Sequence, residues 1–243
     1  MKNINQEELN KILKEHELWL KGEGGKRANL NNTDLSNANL KNANLRYANL
    51  NNTNLRCANL KYADLSSANL RYADLKGANL RCADLKDADL RRANLEDADL
   101  SYSNLSNSNL RDVNLNSADL SSADLKDIKT NIHTIGYNLA CPEKGSFIGY
   151  KKAKGCLIEL LILEDAKRSS ATTAKCRCNK AKVLDIRDIK TGKKVKEIRS
   201  NYDSNFIYKV GEIVHVDNFD NNRWNECATG IHFFINKENA INY

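Results

Sequence analysis

The feature that most constrains this chain is a five-residue repeat that runs without a gap from Ala28 to about Asp127. Leucine occupies every fifth position from Leu30 to Leu125, which makes 20 consecutive repeats. Asn or Asp always precedes the leucine. The residue two before it is alanine, with these exceptions: Thr33, Thr53, Ser103, Ser108 and Val113. Repetition this regular indicates one structural unit stacked many times.

A period of five fits neither of the regular secondary structures. Five residues turn through roughly 500° in an α-helix, so successive leucines would spiral around its whole surface. In a straight strand, Leu30 and Leu35 are an odd number of residues apart and would point to opposite faces. Both leucines face inward only if the chain bends once in every repeat. The pattern therefore predicts a coiled solenoid with leucine and alanine inside.

The pattern Ala-(Asn/Asp)-Leu-X-X resembles the motif of the pentapeptide-repeat family over about 100 of the 243 residues. The resemblance implies an all-β solenoid over 28–127, a right-handed quadrilateral β-helix with four repeats per coil and about five coils. Two features support a 20-residue period: Asn31-Asn32-Thr33 recurs at 51–53, and arginines stand at 71, 91 and 111. A recurrence after 25 residues, as in Arg56-Cys57-Ala58 and Arg81-Cys82-Ala83, indicates a duplication instead. The Asn and Asp residues suit the corners because their side chains bond to nearby backbone and tolerate unusual φ and ψ.

Residues 1–27 are predicted to form a capping helix followed by a turn. Asn5 and Glu8 have the spacing of a capping box, and apolar residues then share one helical face. A β-solenoid exposes apolar side chains and unpaired backbone at each end, so it needs a cap. We assign Trp19 and Leu20 to that cap and read His16 as a packed or capping side chain.

The repeat ends after Leu125, and residues 128–146 are predicted to be a linker that also closes the far end of the solenoid. Residues 147–243 are predicted to form a small β-rich α+β domain. Its expected strands are 147–152, 156–163, 180–188, 194–199, 206–216 and 230–235, followed by a short helix at 237–243. Segments such as Lys175-Cys176-Arg177 and Gly230-Ile231-His232-Phe233-Phe234 resemble an uncharacterised domain often attached to pentapeptide repeats. That resemblance implies no activity.

The charge of the chain is unevenly distributed. Lys and Arg number 6, 12 and 20 in residues 1–27, 28–127 and 128–243, against 5, 13 and 13 Asp and Glu. The differences are +1, −1 and +7, so the whole net charge of +7 arises from the last part. The sequence shows neither a secretory signal nor an apolar run long enough to cross a membrane. Seven scattered cysteines favour reduced thiols, so we expect a cytoplasmic protein with no membrane partner and no cofactor.

Two hypotheses place chemistry in the last part of the chain. Cys176, Cys178, Cys227 and His232 have the number and type of ligands that zinc requires, although the spacing Cys-X-Cys is unusual for a zinc site. Alternatively, Cys227 and His232 are a nucleophile and its base, with no evident third group to orient them. The simpler interpretation is that these residues pack in a domain core. The sequence contains no phosphate-binding glycine motif.

A basic stretch is the remaining candidate site. It comprises Lys167, Arg168, Lys175, Arg177, Lys180 and Lys182. Such a cluster predicts either binding to phosphate or nucleic acid, or a solvated surface loop.

We therefore expect a non-enzymatic interaction scaffold, in which a rigid rod presents surfaces and the basic last domain docks an unknown protein partner. The alternatives are nucleic-acid binding by that domain, modulation of a topoisomerase, and a Cys/His enzyme or zinc site. Family members that mimic acidic DNA would need a strongly negative rod, and this rod carries a charge of only −1.

Overall fold

A computed structural model of the chain describes residues 1–137, 140–225 and 228–243. The chain divides into two compact units, Met1–Asn138 and Leu139–Tyr243. Each unit has its own hydrophobic core.

The repeats of the first unit form a β-helix-like fold. The residue before each leucine makes a parallel bridge to its counterpart 20 residues later, from Asn29 with Asn49 to Asn104 with Asp124. The bridges are held by backbone hydrogen bonds, and the Leu50 amide, for example, donates to the Asn69 carbonyl over 2.8 Å. Twenty residues are four repeats, so the 20-residue period is structural and the 25-residue recurrence is not. The right-handed sense and the number of about five coils stay predictions.

Each repeat turns its corner through two backbone devices. The amide of the residue before the next Asn or Asp donates to the leucine carbonyl, as from Ala38 to Leu35 over 3.0 Å. The second residue after each leucine has a positive φ between 53° and 66°, including bulky residues such as Tyr47 and Arg92. The Asn or Asp side chain accepts from the amide two residues later, as Asn44 does from Arg46. The unusual φ thus falls on the second residue after the leucine and not on the Asn or Asp before it. The side chains of those Asn and Asp residues bond to the backbone and, as from Asn54 to Asp34, to their counterparts 20 residues away.

The interior of the coil is a stack of leucines and small residues. Every repeat leucine from Leu30 to Leu120 is no more than 2% exposed, whereas Leu125 is partly exposed. The coil also continues past the last repeat, because Lys129 bridges Asn109 and Ile135 bridges Asn114. Part of the segment predicted as a linker therefore belongs to the coil.

The N-terminal segment covers the first coil. Helix α1, Gln6–Lys21, begins where the Asn5 side chain accepts from the Glu8 amide over 2.8 Å, and it ends at Gly22, whose φ is 73°. Strand β1, Lys2–Asn3, pairs in parallel with β2, Thr33–Asp34. The amide group of the Gln6 side chain bonds to both the amide and the carbonyl of Asn39. In the first repeats, these contacts take the place of the pairing that later repeats have with a preceding coil.

His16 completes the cover of the first coil. Its Nδ1 accepts from the Ala28 amide over 3.1 Å, and its Nε2 lies 3.0 Å from the Arg46 carbonyl oxygen. The ring is therefore neutral, with its proton on Nε2, and burial lowers the pKa of His16. Trp19, predicted to be the cap, is 37% exposed and stacks on the His16 ring at 5.5 Å, while Leu20 is only half-buried. The buried capping residues are Leu9 and His16.

The second unit is built on a seven-stranded sheet. Its strands are β3 Phe147–Ala153, β4 Cys156–Ile162, β5 Arg168–Ser170, β6 Lys175–Cys178, β7 Lys180–Asp188, β10 Ile213–His215 and β11 Ile231–Phe234. Their order in the sheet is β10-β7-β4-β3-β11-β6-β5, and every neighbouring pair is antiparallel. A separate hairpin pairs β8, Glu197–Arg199, with β9, Ile207–Lys209, and helix α2 spans Lys237–Asn242.

One face of the sheet forms the core of the second unit. Ile158, Leu160, Ile186 and Phe233 are all fully buried there, and Tyr208 packs against them from β9. Most of the expected strands agree with the structure. The strand expected at 206–216 is instead divided into β9, which pairs with β8, and β10, which pairs with β7, and β5 and β6 were not predicted. Within the described residues, no helix has the length and apolar character needed to cross a membrane.

Candidate functional site

The sheet of the second unit opens between two of its strands. Strand β11 pairs with β3 at one position only, Phe234 with Tyr150, although it pairs with β6 at four. The other residues of β11 have no register partner in β3. The side chain of Lys151 reaches into the opening, and its Nζ donates to the His232 carbonyl over 3.2 Å.

A cleft of about 900 Å³ lies at this opening. Its lining includes three lysines, which are Lys151 and Lys152 of β3 and Lys175 of β6. The other walls come from the segments 200–208, 215–218 and 228–230, and from Tyr243. A cleft of this size is typical of sites that hold a small organic ligand.

Lys151 is a cation of the cleft whose pKa is shifted. Its pKa is lowered to about 8, mainly by burial; Cys178 opposes this shift and the nearby charge of Lys175 contributes to it. Its ammonium group lies 5.9 Å from the centre of the Tyr208 ring. Within the described residues, Lys151 makes no salt bridge with a carboxylate. An anion in the cleft would therefore stabilise the charged form of this amine.

The other two lysines are held at the edges of the cleft. Lys152 Nζ donates to the Ile241 carbonyl in α2 over 2.8 Å. Lys175 Nζ lies 3.4 Å from the Tyr243 hydroxyl and 5.4 Å from the centre of that ring. Both amines are thus positioned by the C-terminal helix and the residue after it.

Aromatic rings stand on two sides of these cations. Phe206 and Tyr208 contact each other edge to face at 5.2 Å, next to Lys151. Phe234 and Tyr243 contact each other, also at 5.2 Å, next to Lys175. The cleft therefore combines positive charge with flat apolar surfaces.

The carboxylates that line the cleft lie at its rim and bond to other groups. Asp217 is 96% exposed and lies 2.9 Å from Nδ1 of His215. The exposed Asp203 accepts from the Asn205 amide over 2.8 Å. Among the described residues, the lining thus includes three lysines and two aspartates, and the aspartates are the more exposed groups.

The structure does not bring the described members of the predicted zinc set together. Cys178 stands opposite Ile231 and Cys176 opposite Phe233, whereas His232 stands opposite Arg177. Because cross-strand neighbours share a face of the sheet, the two cysteines point to one side and His232 to the other. Cys227 lies outside the described residues, so its pairing with His232 stays a prediction. Within the described part of the chain, no group of three metal-ligating side chains was found.

The buried thiols behave as core residues. Burial raises the pKa of Cys178 to about 12, and contact with Cys141 and burial also raise the pKa of Cys176. Both side chains are fully buried. Neither has the exposure that a reactive thiolate requires.

The predicted basic stretch is not one surface. Arg177 is 1% exposed and donates to the carbonyls of Asp220, Asn222 and Thr229. Arg168 donates to five carbonyls, and Lys175 is buried at the cleft. Lys180 forms a salt bridge with Asp165, which leaves Lys167 and Lys182 as the fully exposed members. Strand β6 is buried on both faces, which buries Lys175 and Arg177, and Arg168 of β5 is bound by loop carbonyls.

The first unit offers a different kind of surface. Apart from the buried Ser101 and Ser106, the two residues after each leucine face outward, and residues 20 apart in sequence stand one above another. One such column contains Arg71, Arg91 and Arg111, with Tyr72 and Arg92 beside it. We name these five residues the arginine column. Arg91 pairs with Asp89 and Arg92 with Asp112, whereas Arg111 has no salt bridge within the described residues.

These features define a class of protein: a repeat coil followed in sequence by a small domain with a cationic cleft. Residues 26–61, 58–97 and 93–128 match the family described as pentapeptide repeats (8 copies). Residues 137–240 match a family of unknown function, DUF5758. The chain is therefore a pentapeptide-repeat protein that carries a DUF5758 domain.

Solved structures of several pentapeptide-repeat proteins are similar to the repeat region. A thylakoid-lumen protein of Arabidopsis thaliana is 32% identical, with a TM-score of 0.31, over 35% of this chain and 63% of its own. Rfr23 of the cyanobacterium Cyanothece 51142 is 29% identical, with a TM-score of 0.30, over 52% and 97%. HetL of Nostoc, involved in heterocyst differentiation regulation, is 37% identical, with a TM-score of 0.23, over 43% and 58%. The chain thus spans less than two thirds of the first and third of these proteins. No curated protein matches it.

Proposed function

We propose that this protein is a non-enzymatic interaction scaffold, in which a right-handed repeat coil of about five turns presents its outward side chains to a partner protein. The observation that supports the proposal is the division of labour within each repeat. Leucine and the small residue fill the interior, and Asn or Asp bonds to the corner backbone. In most repeats the side chains of the two remaining residues lie at the surface and fill no part of the interior.

The arginine column is the part of this surface with the clearest chemical preference. Arginine is favoured in interfaces because its guanidinium forms paired hydrogen bonds with carboxylates and stacks on aromatic rings. Arg71 and Arg92 already lie 5.6 and 5.5 Å from the centre of the Tyr72 ring. We expect the partner to present an acidic surface, which the column would meet with positive charge.

Photo-crosslinking tests this proposal in the full chain. A photoreactive residue at position 111 should give a discrete crosslinked product in a native extract, and Arg91→Glu should reduce its yield at least fivefold. Position 61 provides the matched control. Like Arg111, Lys61 directly follows a repeat leucine, but it lies ten repeats earlier, so with four repeats per coil it is two corners away from the arginine column. Equal yields at positions 111 and 61, or no product at either, would contradict the proposal.

Direct nucleic-acid binding by the second unit is the alternative. Its support is weaker in this structure than in the sequence, because Arg168 and Arg177 bond to carbonyls inside the domain. Salt-dependent retention on duplex DNA tests it, since phosphate contacts weaken as salt rises. Retention that depends on Lys167 and Lys182 would favour the alternative over the scaffold.

A further inference from the structure

Two cysteine side chains of the second unit are in contact with each other. Cys141 and Cys176 belong to the same buried core, and their thiol groups share a hydrogen bond. Both are free cysteines, and Cys141 is 3% exposed whereas Cys176 has no exposed surface. Neither thiol takes part in the scaffold function, which concerns the first unit.

The strand β6 fixes the position of Cys176. This residue lies opposite Phe233 of β11 and opposite Ser170 of β5. Because cross-strand neighbours share a face of the sheet, the Ser170 hydroxyl and the Cys176 thiol point to the same side. The Ala140 amide donates to that hydroxyl over 2.7 Å. The residue directly before Cys141 is therefore held beside the Cys176 thiol.

The segment that follows Cys141 is also held against β5. The Nη1 atom of Arg168 donates to the Pro142 carbonyl over 3.2 Å and to the Gly145 carbonyl over 2.8 Å. Hydrogen bonds to β5 thus hold the chain on both sides of Cys141 and keep its thiol next to Cys176. A disulfide requires two cysteines whose side chains meet at short range, and the fold provides such a pair.

The two thiols have different acidities. Contact with Cys176 lowers the pKa of Cys141; burial opposes this shift, and the positive charges of Arg168 and Arg223 add to it. Contact with Cys141 and burial raise the pKa of Cys176. Cys141 is therefore the residue that forms the thiolate, which is the nucleophilic form of cysteine. It also has the exposed surface of the pair, so a small oxidant in solution reaches Cys141 first.

We propose that Cys141 and Cys176 are a peroxide-sensitive dithiol that closes into a disulfide. The Cys141 thiolate attacks one oxygen of hydrogen peroxide, which gives a sulfenic acid on Cys141 and releases hydroxide. The Cys176 sulfur then attacks the sulfenic sulfur, so that the S–S bond forms and the oxygen leaves as water. In total the two thiols lose two electrons and two protons, and the peroxide becomes two molecules of water. The bond would join the segment 140–146 covalently to β6.

Mass spectrometry of the full chain tests the proposal. The reduced protein is treated with hydrogen peroxide, blocked with N-ethylmaleimide and digested without a reducing agent. We expect the link between Cys141 and Cys176 to be the main disulfide and to form at least tenfold faster in the folded chain than in urea, where the contact is lost. Cys156→Ser is the matched control, because Cys156 is also buried in this core, and it should change the rate less than twofold.

Two variants test the order of the steps. Cys176→Ser removes the second thiol, so Cys141 should accumulate as a sulfenic acid that dimedone labels. Cys141→Ser removes the first nucleophile, and Cys176 should then stay reduced. Circular dichroism of each variant establishes that the chain remains folded.

Three results would overturn the proposal. The first is a folded chain that forms no link between Cys141 and Cys176 under conditions that oxidise the exposed Cys57. The second is a link that forms no faster in the folded chain than in urea. The third is a link from Cys141 or Cys176 to Cys227 in its place.

Discussion

The substitution His16→Leu tests how the end of the coil is sealed. It keeps an apolar side chain under Trp19 but removes both hydrogen bonds of the ring, to the Ala28 amide and to the Arg46 carbonyl. Ala28 is only 1% exposed, so its amide would lose its partner in a place with little water. A buried donor left without a partner costs about 1–3 kcal/mol. We therefore expect the free energy of unfolding of the cap to fall by about 2 kcal/mol.

Hydrogen exchange is the suitable assay, because repeat coils open locally from their ends. The Ala28 and Leu30 amides should exchange about 30-fold faster in His16→Leu, while amides near Leu80 keep their protection. Trp19→Leu is the matched control: it removes the ring stacked at 5.5 Å but neither hydrogen bond, so its effect should be smaller. Unchanged exchange at Ala28 in His16→Leu would refute the role assigned to His16.

The same side chain predicts a pH dependence. Burial lowers the pKa of His16 in the folded state below its ordinary value of 6.5, so the unfolded state binds the proton more readily. The stability that neutral His16 contributes is thus fully present above about pH 6.5 and is lost as the pH falls through the lower folded pKa. Protonation would also place an N–H at Nδ1 against the Ala28 N–H. The His16→Leu chain should lack this part of the pH dependence, and an identical pH profile in both chains would contradict the assignment.

Three further predictions concern other parts of the molecule. Ser67 has a φ of 56°, a conformation that a β-branched residue rarely adopts and that glycine adopts freely. Ser67→Val should therefore lower the free energy of unfolding by about 1–2 kcal/mol, while Ser67→Gly should change it by less than about 1 kcal/mol. Equal effects of the two substitutions in urea unfolding would contradict the corner geometry. Arg177→Met should destabilise the second unit by about 3–5 kcal/mol, because three carbonyls lose a charged donor. Arg187 is exposed, so Arg187→Met should change the stability of the unit by less than about 1 kcal/mol. Iodoacetamide at neutral pH should label the exposed Cys57 and spare Cys178 in the folded chain, as read by mass spectrometry. In the same experiment, labelling of Cys227 at a faster rate than that of a free thiol would support the nucleophile hypothesis.

The sequence predicted the coil because five-residue periodicity leaves the chain one way to bury every leucine. The recurrence of Asn31 as Asn51 indicated the 20-residue structural period. The 25-residue recurrence of Cys57 as Cys82 was equally visible in the sequence, but it is not the structural period. Local patterns were enough for the Asn5 cap of α1 and for most strands of the second unit.

What the sequence did not predict depends on contacts between distant residues. Strand β6 reads Lys-Cys-Arg-Cys, and its burial on both faces follows from neighbouring strands and loops rather than from its own pattern. Arg177 looked like a surface cation because its acceptors lie 43 to 52 residues away. The cleft could not be predicted for the same reason, since its lining comes from residues spread between Lys151 and Tyr243.

Disulfide trapping across the coil tests the central claim most directly. The backbone pairing of Tyr62 with Cys82 follows from the hydrogen bond between the Tyr62 amide and the Arg81 carbonyl over 3.1 Å, and neighbouring strands lie about 4.8 Å apart. In a Cys57→Ser background, the thiol introduced by Tyr62→Cys should form a disulfide with Cys82 under mild oxidation, at a distance that suits such a bond. In the unaltered chain, Cys57 and Cys82, which are 25 residues apart, should remain reduced under the same conditions. Rapid crosslinking of Cys57 to Cys82, with none from position 62, would show that four repeats do not make one turn and would contradict the account.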